Sequence, residues 1–445
     1  MFENINSVYF IGIGGISMSA LAMLIQSKGI KVCGSDDNLS SVTENLQKKG
    51  IEVIEGRAPN LVKECDICVV SGAISDDNED LFLANRLGKK ILSRAELLGE
   101  LASEKKCISI AGTHGKTTTT GMLATIMLKA GLDPTIHIGG ILNEIDSNLH
   151  IGSGEYFLTE ACEYKDSFLS LSSDISVVLN VEPDHLDYFK SFDNLRNSFK
   201  KFVKNTKKYG FSVINGDILS NFEQNVNVLT FGLGEENVIT AKNIREYAAG
   251  KFAYDLYVEE EFVGEISLSS FGKHNVENSL AAVAVSLLLD IDFAVIQAGL
   301  AEYKGAKRRM DVVREKSPMI IHDYAHHPTE IEGTLLTCKS INKKVIAIFQ
   351  PHTYSRTRDL YEQFLSCFSL CEQVWLLPIY SAREEPIENI SSLRLSKELN
   401  VRGIKSKYFA SMQDCQNAIK GVKNDCLFAV LGAGDIEKLA ELLRK

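Results

Sequence analysis

At 445 residues the chain exceeds what one hydrophobic core ordinarily organises, so two or three domains are expected. Its composition, 45% hydrophobic and 24% charged, suits a soluble globular protein, and a net charge of −10 argues against a nucleic-acid or anionic-membrane partner. A phosphate ligand would therefore have to be met by a local site. The ten cysteines are scattered through apolar stretches. Cys65 and Cys68 form a C-x-x-C inside the strand-like run "CDICVV", without a second pair at zinc spacing, which favours core thiols in a reducing compartment.

From Ser7 to Ser27 the sequence carries no charged side chain. A signal peptide needs a basic leader, whereas "MFENIN" offers only Glu3, and a spanning helix would not begin with Gly12, Gly14 and Gly15. The stretch is predicted to be a strand, a glycine turn and a helix ending at Gly29, in a cytoplasmic protein. "IKVCGSD", "IEVIEG", "DICVVSGAI" and "KKILSR" follow as strands separated by helical patterns, the signature of a parallel sheet with helices on its faces. "RAELLGELASEKK" leads out of this domain as a helix.

A second alternation starts at "CISIAGTHGKTTTTGMLATIMLKAG", with further strands at "EYFLTEACE" and "ISVVLNVEPDH". It runs to about residue 312 and includes the strand-rich 252–272 and the helix 276–289. A third begins at "MIIHDYAHHP", continues with a helix opened by Pro328 and Thr329, and adds strands at "VIAIFQP", "QVWLLPIYS" and "CLFAVLGAGD". The predicted fold class is α/β, with three domains in series: a Rossmann-like parallel sheet over 1–106, a P-loop ATPase-type α/β domain over 107–312, and a Rossmann-like domain over 313–445.

The segment "AGTHGKTTTT" has the strand–loop–helix setting of a phosphate cradle, but its first glycine is Gly112, so the loop is G-x-x-G-K-T rather than the longer P-loop pattern. Such a turn aims backbone N–H groups and the positive end of a helix dipole at one point. Gly112, Thr113, His114 and Gly115 would wrap the phosphates, Lys116 would reach the β and γ oxygens, Thr117 would ligate Mg²⁺, and Thr118 would add a hydroxyl. The plain alternative is a glycine-threonine turn with a solvated lysine. At the N-terminus, "GIGGIS" meets G-x-G-x-x-G except that Ser17 replaces the last glycine, and Asp36 follows where a ribose-binding acid would sit. Taken alone, that turn would suggest NAD and a dehydrogenase.

The shortened loop "GTHGKTT" resembles the ATP loop of the Mur ligases, and other segments extend the resemblance over nearly the whole chain. "LNVEPDHLDYF" resembles the central motif whose histidine, here His185, holds magnesium. "GKHNVENSLAA" matches the adenine-side motif and carries His274, Asn275 and Asn278 to nucleotide contacts. "GAKRRM" offers Arg309 to phosphate, with Arg308 beside it. "DYAHHPTEI", "FQPHTYSRT", "YSAREE" and "GAGD" look like the signatures of the branch that joins L-alanine to the carboxylate of UDP-N-acetylmuramate in peptidoglycan synthesis. A runner-up is the branch that attaches a whole peptide to the same sugar. The usual Glu-Ala-Asp-Glu-Ser is "EACEY" here, which keeps both glutamates and puts Cys162 and Tyr164 at the other positions.

The resemblance implies ATP and Mg²⁺ as cofactors, and UDP-N-acetylmuramate and L-alanine as substrates. Thr117, Glu160 and His185 would be the metal ligands, with Glu163 the alternative to Glu160. Lys116, Glu160, His185, His352 and Arg383 would carry the chemistry, Arg383 by gripping the amino-acid carboxylate. Gly12, Gly14, Gly15 and Ser17 would take the diphosphate of the sugar nucleotide and Asp36 its nucleoside. His326 and His327 would face the amino acid, with helix capping as the plain alternative for one of them. Asp323 would face the nucleotide, His322 would be a satisfied core histidine, and Lys200, at a spacing where some relatives carry a carbamylated lysine, would be a solvated helix residue.

Overall fold

The computed structural model describes residues 2, 4–222, 227–382, 384–422 and 425–444, and the chain divides into two compact units. One comprises residues 1–239 and 281–296, the other residues 240–280 and 297–445.

The first unit opens with a five-stranded parallel sheet in the order Glu52–Glu55, Lys31–Asp36, Ser7–Ile11, Ile67–Val70, Lys90–Ser93. Its central strand is apolar on both faces, Val8, Tyr9, Phe10 and Ile11 all being buried, as a sheet covered by helices on both sides requires. Helix Ile16–Ser27 buries Met18, Leu21, Leu24 and Ile25 against it. Helix Arg94–Ser103 starts at a capping box in which Glu96 N–H donates to Ser93 Oγ at 3.1 Å and Ser93 N–H donates to Glu96 Oε2 at 2.7 Å.

A second sheet in the same unit runs Asn227–Gly232, Phe211–Asn215, Ile175–Val178, Lys106–Ala111, Tyr156–Glu160, Thr135–Leu142, Ser147–His150. Only the Thr135–Leu142/Ser147–His150 pair among these is antiparallel. The register sets Ile110 beside Glu160 and Ala111 beside Val178, so three strand ends converge at one edge, where ligands of open α/β sheets bind. Beneath that edge Phe168 stacks on Phe202 at 4.8 Å and meets Phe199 edge-on at 5.2 Å. Each such buried ring stabilises the unit by roughly 1.5–3 kcal/mol.

The second unit holds the antiparallel pair Lys251–Val258 and Glu261–Phe271, whose turn puts Glu259 and Glu260 at positive φ. It also holds a six-stranded sheet in the order Asp311–Arg314, Met319–Asp323, Leu427–Leu431, Val345–Phe349, Gln373–Leu376, Ser406–Tyr408, parallel except for its first member. Helix Pro328–Ile341 packs Ile331, Leu335 and Cys338 into that sheet's core.

The strands expected from apolar runs are present. Those at Thr135–Leu142, Ser147–His150, Phe211–Asn215, Asn227–Gly232 and Ile239–Ala248 lie where none was predicted, because glycines, hydroxyls and amides interrupt their apolar pattern, and so do Asp311–Arg314 and Ser406–Tyr408, which are too short to show one. The cysteines are free, and the Cys65 and Cys68 sulfurs lie buried 3.4 Å apart. No helix among the described residues is long and apolar enough to cross a membrane.

Candidate active site

The loop Gly112–Gly115 leaves strand Lys106–Ala111 and enters helix Lys116–Lys129, with Gly112 at φ +150° and Gly115 at φ +84°. A Cβ at position 112 would stand 2.9 Å from Leu179 Cβ, closer than such atoms approach. Gly112→Ala is therefore expected to destabilise the unit by roughly 1–3 kcal/mol, as urea unfolding would read.

The loop is clamped by the segment following strand Ile175–Val178. Asn180 Oδ1 accepts from His114 N–H at 2.8 Å, and Asn180 Nδ2 donates to His114 O at 3.1 Å. Thr113 Oγ1 accepts from Glu182 N–H at 2.9 Å, and the Glu182 carboxylate lies 3.6 Å from His114 Nε2. In this segment the motif pointed to His185, whereas Asn180 and Glu182 are the residues that shape the loop.

Lys116 Nζ donates to the carbonyls of Gly112 and of Thr113, the latter at 3.1 Å, and pairs with Glu163 at 2.9 Å. Burial alone would lower the ammonium pKa; Glu163, with Cys162 and Glu160 acting in the same sense, raises it above the ordinary lysine value. Glu160, at the end of its strand, accepts from Gly139 N–H at 2.7 Å. The two glutamates of "EACEY" are thus separated in role: Glu163 lies on the loop lysine and Glu160 on a neighbouring strand.

Thr117 is buried in the first helical turn, and Thr118 is half-buried beside it. His185 has φ 52° at the head of the short helix Leu186–Phe189, with its ring 4.6 Å from that of Tyr164. Lys165 and Asp166 also take left-handed backbone conformations, which Asp166 accepts while receiving Tyr188 Oη–H at 2.8 Å. Backbone strain of this kind gathers at functional sites. Lys200 is exposed on helix Phe192–Lys204.

In the N-terminal turn, Gly12 has φ +81° and Gly15 caps helix Ile16–Ser27. Asp36 Oδ2 accepts from Gly14 N–H at 2.8 Å, and a Cβ on Gly14 would meet that same oxygen. Ser17 lies 3.2 Å from Arg94 and 2.9 Å from His137, neither of which sequence reasoning singled out.

In the second unit, Asn275 Nδ2 donates to Phe271 O at 2.6 Å and Asn278 Nδ2 to Asn275 Oδ1 at 2.8 Å, while His274 is exposed just before helix Asn275–Leu288. The Arg308 and Arg309 guanidinium groups lie over Tyr324, 5.0 and 5.2 Å from its centre, and Arg308 pairs with Glu437. Asp323 is buried and accepts from Met310 N–H at 2.7 Å and Ala325 N–H at 2.8 Å; burial pushes its carboxyl up. His326 lies 5.9 Å ring to ring from His352, which stacks on Tyr380 at 5.6 Å. Burial pulls these imidazoles down, His326 to about 3 and His352 to about 4. His327 caps helix Pro328–Ile341, accepting at Nδ1 from Thr329 N–H at 3.4 Å. His322 is buried, but its Nε2 has no hydrogen-bond partner among the described residues, so it is not the satisfied core histidine expected. Strand geometry buries the ring without placing an acceptor beside it. Arg383 lies outside the described residues; its neighbour Glu384 accepts from Ser355 N–H at 2.8 Å at the head of helix Tyr354–Asp359.

Comparison with known proteins accounts for the arrangement. Residues 7–106 match the model described as the Mur ligase family catalytic domain, 110–286 the Mur ligase middle domain, and 308–434 the Mur ligase glutamate ligase domain. The UDP-N-acetylmuramate–L-alanine ligase of Clostridium acetobutylicum is 42% identical, over 98% of this chain and 96% of that protein. The ligase of the same name from Clostridium perfringens is 38% identical over 100% of this chain and 99% of that protein. The crystal structure of UDP-N-acetylmuramate–alanine ligase from Thermotoga maritima superposes with a TM-score of 0.84 at 27% identity, covering 98% of each chain. With all three domain models matched in order, the chain belongs to the Mur ligase family.

Proposed function

We propose that the protein is an ATP-dependent ligase that joins L-alanine to the carboxylate of UDP-N-acetylmuramate in peptidoglycan synthesis, forming a carbon–nitrogen bond. A carboxylate oxygen is a poor leaving group, so direct condensation with an amine is uphill in water. Transfer of the ATP γ-phosphoryl group to the carboxylate makes an acyl phosphate; the amine attacks it, a tetrahedral intermediate forms, and phosphate departs.

The observation that carries this reading is Lys116, a charged ammonium set in the glycine loop between backbone carbonyls and Glu163, in a chain 42% identical to a ligase of that name. When ATP enters, the γ-phosphate takes the place of Glu163 as the lysine's anionic partner, and the loop N–H groups receive the phosphate oxygens.

The donors at the loop suit a magnesium site. A threonine hydroxyl and a strand-end carboxylate are the hard oxygen ligands Mg²⁺ prefers, and Glu160 accepts from a backbone N–H. Thr117, Glu160 and His185 would hold the ion, which when bound neutralises charge on the phosphate oxygens. We assign sugar-nucleotide binding to residues 1–106, ATP to 107–312 and the amino acid to 313–445, in a cytoplasmic enzyme. Arg383 would grip the amino-acid carboxylate. Imidazoles pulled down to about 3 and about 4 are poor bases near neutrality, so His326 and His352 orient the amino acid rather than take its proton.

The test is phosphate release from ATP. It should require both UDP-N-acetylmuramate and L-alanine, and release unchanged by either would sink the proposal. A parallel assay with a tripeptide identifies the peptide-attaching activity if the tripeptide alone supports turnover. Titration with NADH should show no binding at the N-terminal turn.

A further inference from the structure

Ser17, which stands where a dinucleotide turn has its last glycine, belongs to a hydrogen-bond relay that the proposed function leaves unused. Arg94 Nη1 donates to Ser17 Oγ at 3.2 Å, and Ser17 Oγ lies 2.9 Å from His137 Nε2. His137 Nδ1 lies 3.1 Å from Thr159 Oγ1, and the Thr159 hydroxyl donates to the Glu160 carbonyl at 3.0 Å. A guanidinium can only donate and a carbonyl can only accept. The direction of each bond between them follows: Ser17 gives its proton to His137 Nε2, and His137 gives its Nδ1 proton to Thr159. Burial, with the Arg94 charge adding to it, pulls the His137 imidazole down to about 3, so the neutral ring this requires is present at neutral pH.

Ser17 therefore has no proton left for a phosphate. Gly14 N–H is likewise engaged by Asp36, whose carboxylate brings negative charge to the turn. A dianionic ligand needs a cation here. Arg94 is half-buried, starts a helix whose position the Ser93–Glu96 capping box sets, and pairs with no carboxylate among the described residues.

We propose that Arg94 contacts the diphosphate of the sugar nucleotide at the glycine turn, and that Ser17 and His137 are positioning residues that hold its guanidinium. This rests on the reading that the diphosphate binds at this turn.

Arg94→Ala should raise the KM for the sugar nucleotide by about 10–100-fold, the span of a lost charge-assisted hydrogen bond, with Arg94→Lys less affected. The KM for ATP should stay unchanged, which also certifies the fold. Binding of UDP alone, which keeps the diphosphate but lacks the sugar acid, should weaken by the same factor. Ser17→Ala and His137→Ala should each raise the sugar-nucleotide KM by a smaller factor, and the double variant should be no worse than the worse single one. His137→Gln, which can accept and donate, should recover most of the loss. Ile16→Glu is the control for the underlying reading: it places a carboxylate on an exposed position at the turn and should weaken sugar-nucleotide binding whatever Arg94 does. If Ile16→Glu weakens binding and Arg94→Ala does not, the proposal is overturned while the site assignment stands. If Arg94→Ala weakens the sugar nucleotide but not UDP, the charge meets another group and the proposal falls. If neither variant has an effect, the diphosphate does not bind at this turn.

Discussion

Replacing Lys116 with methionine should reduce phosphate release by at least about 10²–10³-fold, the range seen when a group that stabilises transition-state charge is removed. Binding of the sugar nucleotide should stay close to that of the parent protein, because the turn assigned to it is built from a different sheet. The same substitution strands Glu163, 2% exposed, without its cation. An uncompensated buried charge costs about 3–5 kcal/mol, so the single variant should also unfold at lower urea. Adding Glu163→Gln to Lys116→Met should restore most of that stability and none of the activity. Recovery of turnover in the double variant would show that Lys116 matters only as the counter-ion of Glu163. Isothermal titration with UDP-sugar, urea unfolding and phosphate release read the three effects separately.

Acid should weaken the second unit as pH falls from about 6.5 towards about 4. Burial, with a smaller contribution from Arg308, pulls the His322 imidazole down to about 4, while Asp311 acts in the opposite sense and Arg444 adds slightly to the depression. An unfolded histidine takes up a proton below about pH 6.5. Between that value and about 4 the unfolded chain binds more protons than the folded one, so stability falls as pH falls. The contribution from His322 alone is roughly 2 kcal/mol between pH 7 and 5, and His326 and His352 act in the same direction. Asp323, with its carboxyl pushed up, acts in the opposite one. The single tryptophan, Trp375, is buried in this unit against Phe409 and Phe428, so its fluorescence follows unfolding of the unit in urea. His322→Leu should remove its share of the pH dependence and cost little at pH 7, since it deletes a buried nitrogen that has no hydrogen-bond partner among the described residues. A pH profile identical to that of the parent would mean that His322 is protonated, or solvated, in the folded protein.

Much of the architecture could be read from patterns of two kinds. Continuous apolar runs bounded by glycine or acidic residues marked the parallel strands, because a strand covered on both faces needs apolar side chains at every position. The order glycine, lysine, threonine after such a run marked the phosphate loop, because that loop is local: strand, turn and helix are consecutive in the chain. The pair of glutamates in "EACEY" was also visible, but not which of them faces the lysine. That depends on the loop after Glu160 folding back to bring Glu163 onto Lys116, a contact across 47 positions.

The residues missed share one property. Asn180, Glu182, Arg94 and His137 act on groups 66 to 120 positions away, and none carries a local signature. His137 lies in a strand that two glycines disguise. The relay through Ser17 exists only because the register of the second sheet puts Thr159 beside His137. What the amino-acid order determined by itself was the continuously apolar strands, the glycine turns and the helix starts, since propensity, capping and close backbone approach are decided within a few residues. Which carboxylate guards the loop lysine, which hydroxyl has no proton left to give, and that the His322 Nε2 is buried with no hydrogen-bond partner among the described residues were decided by tertiary packing, because burial and hydrogen-bond direction belong to neighbours the chain brings together only when it folds.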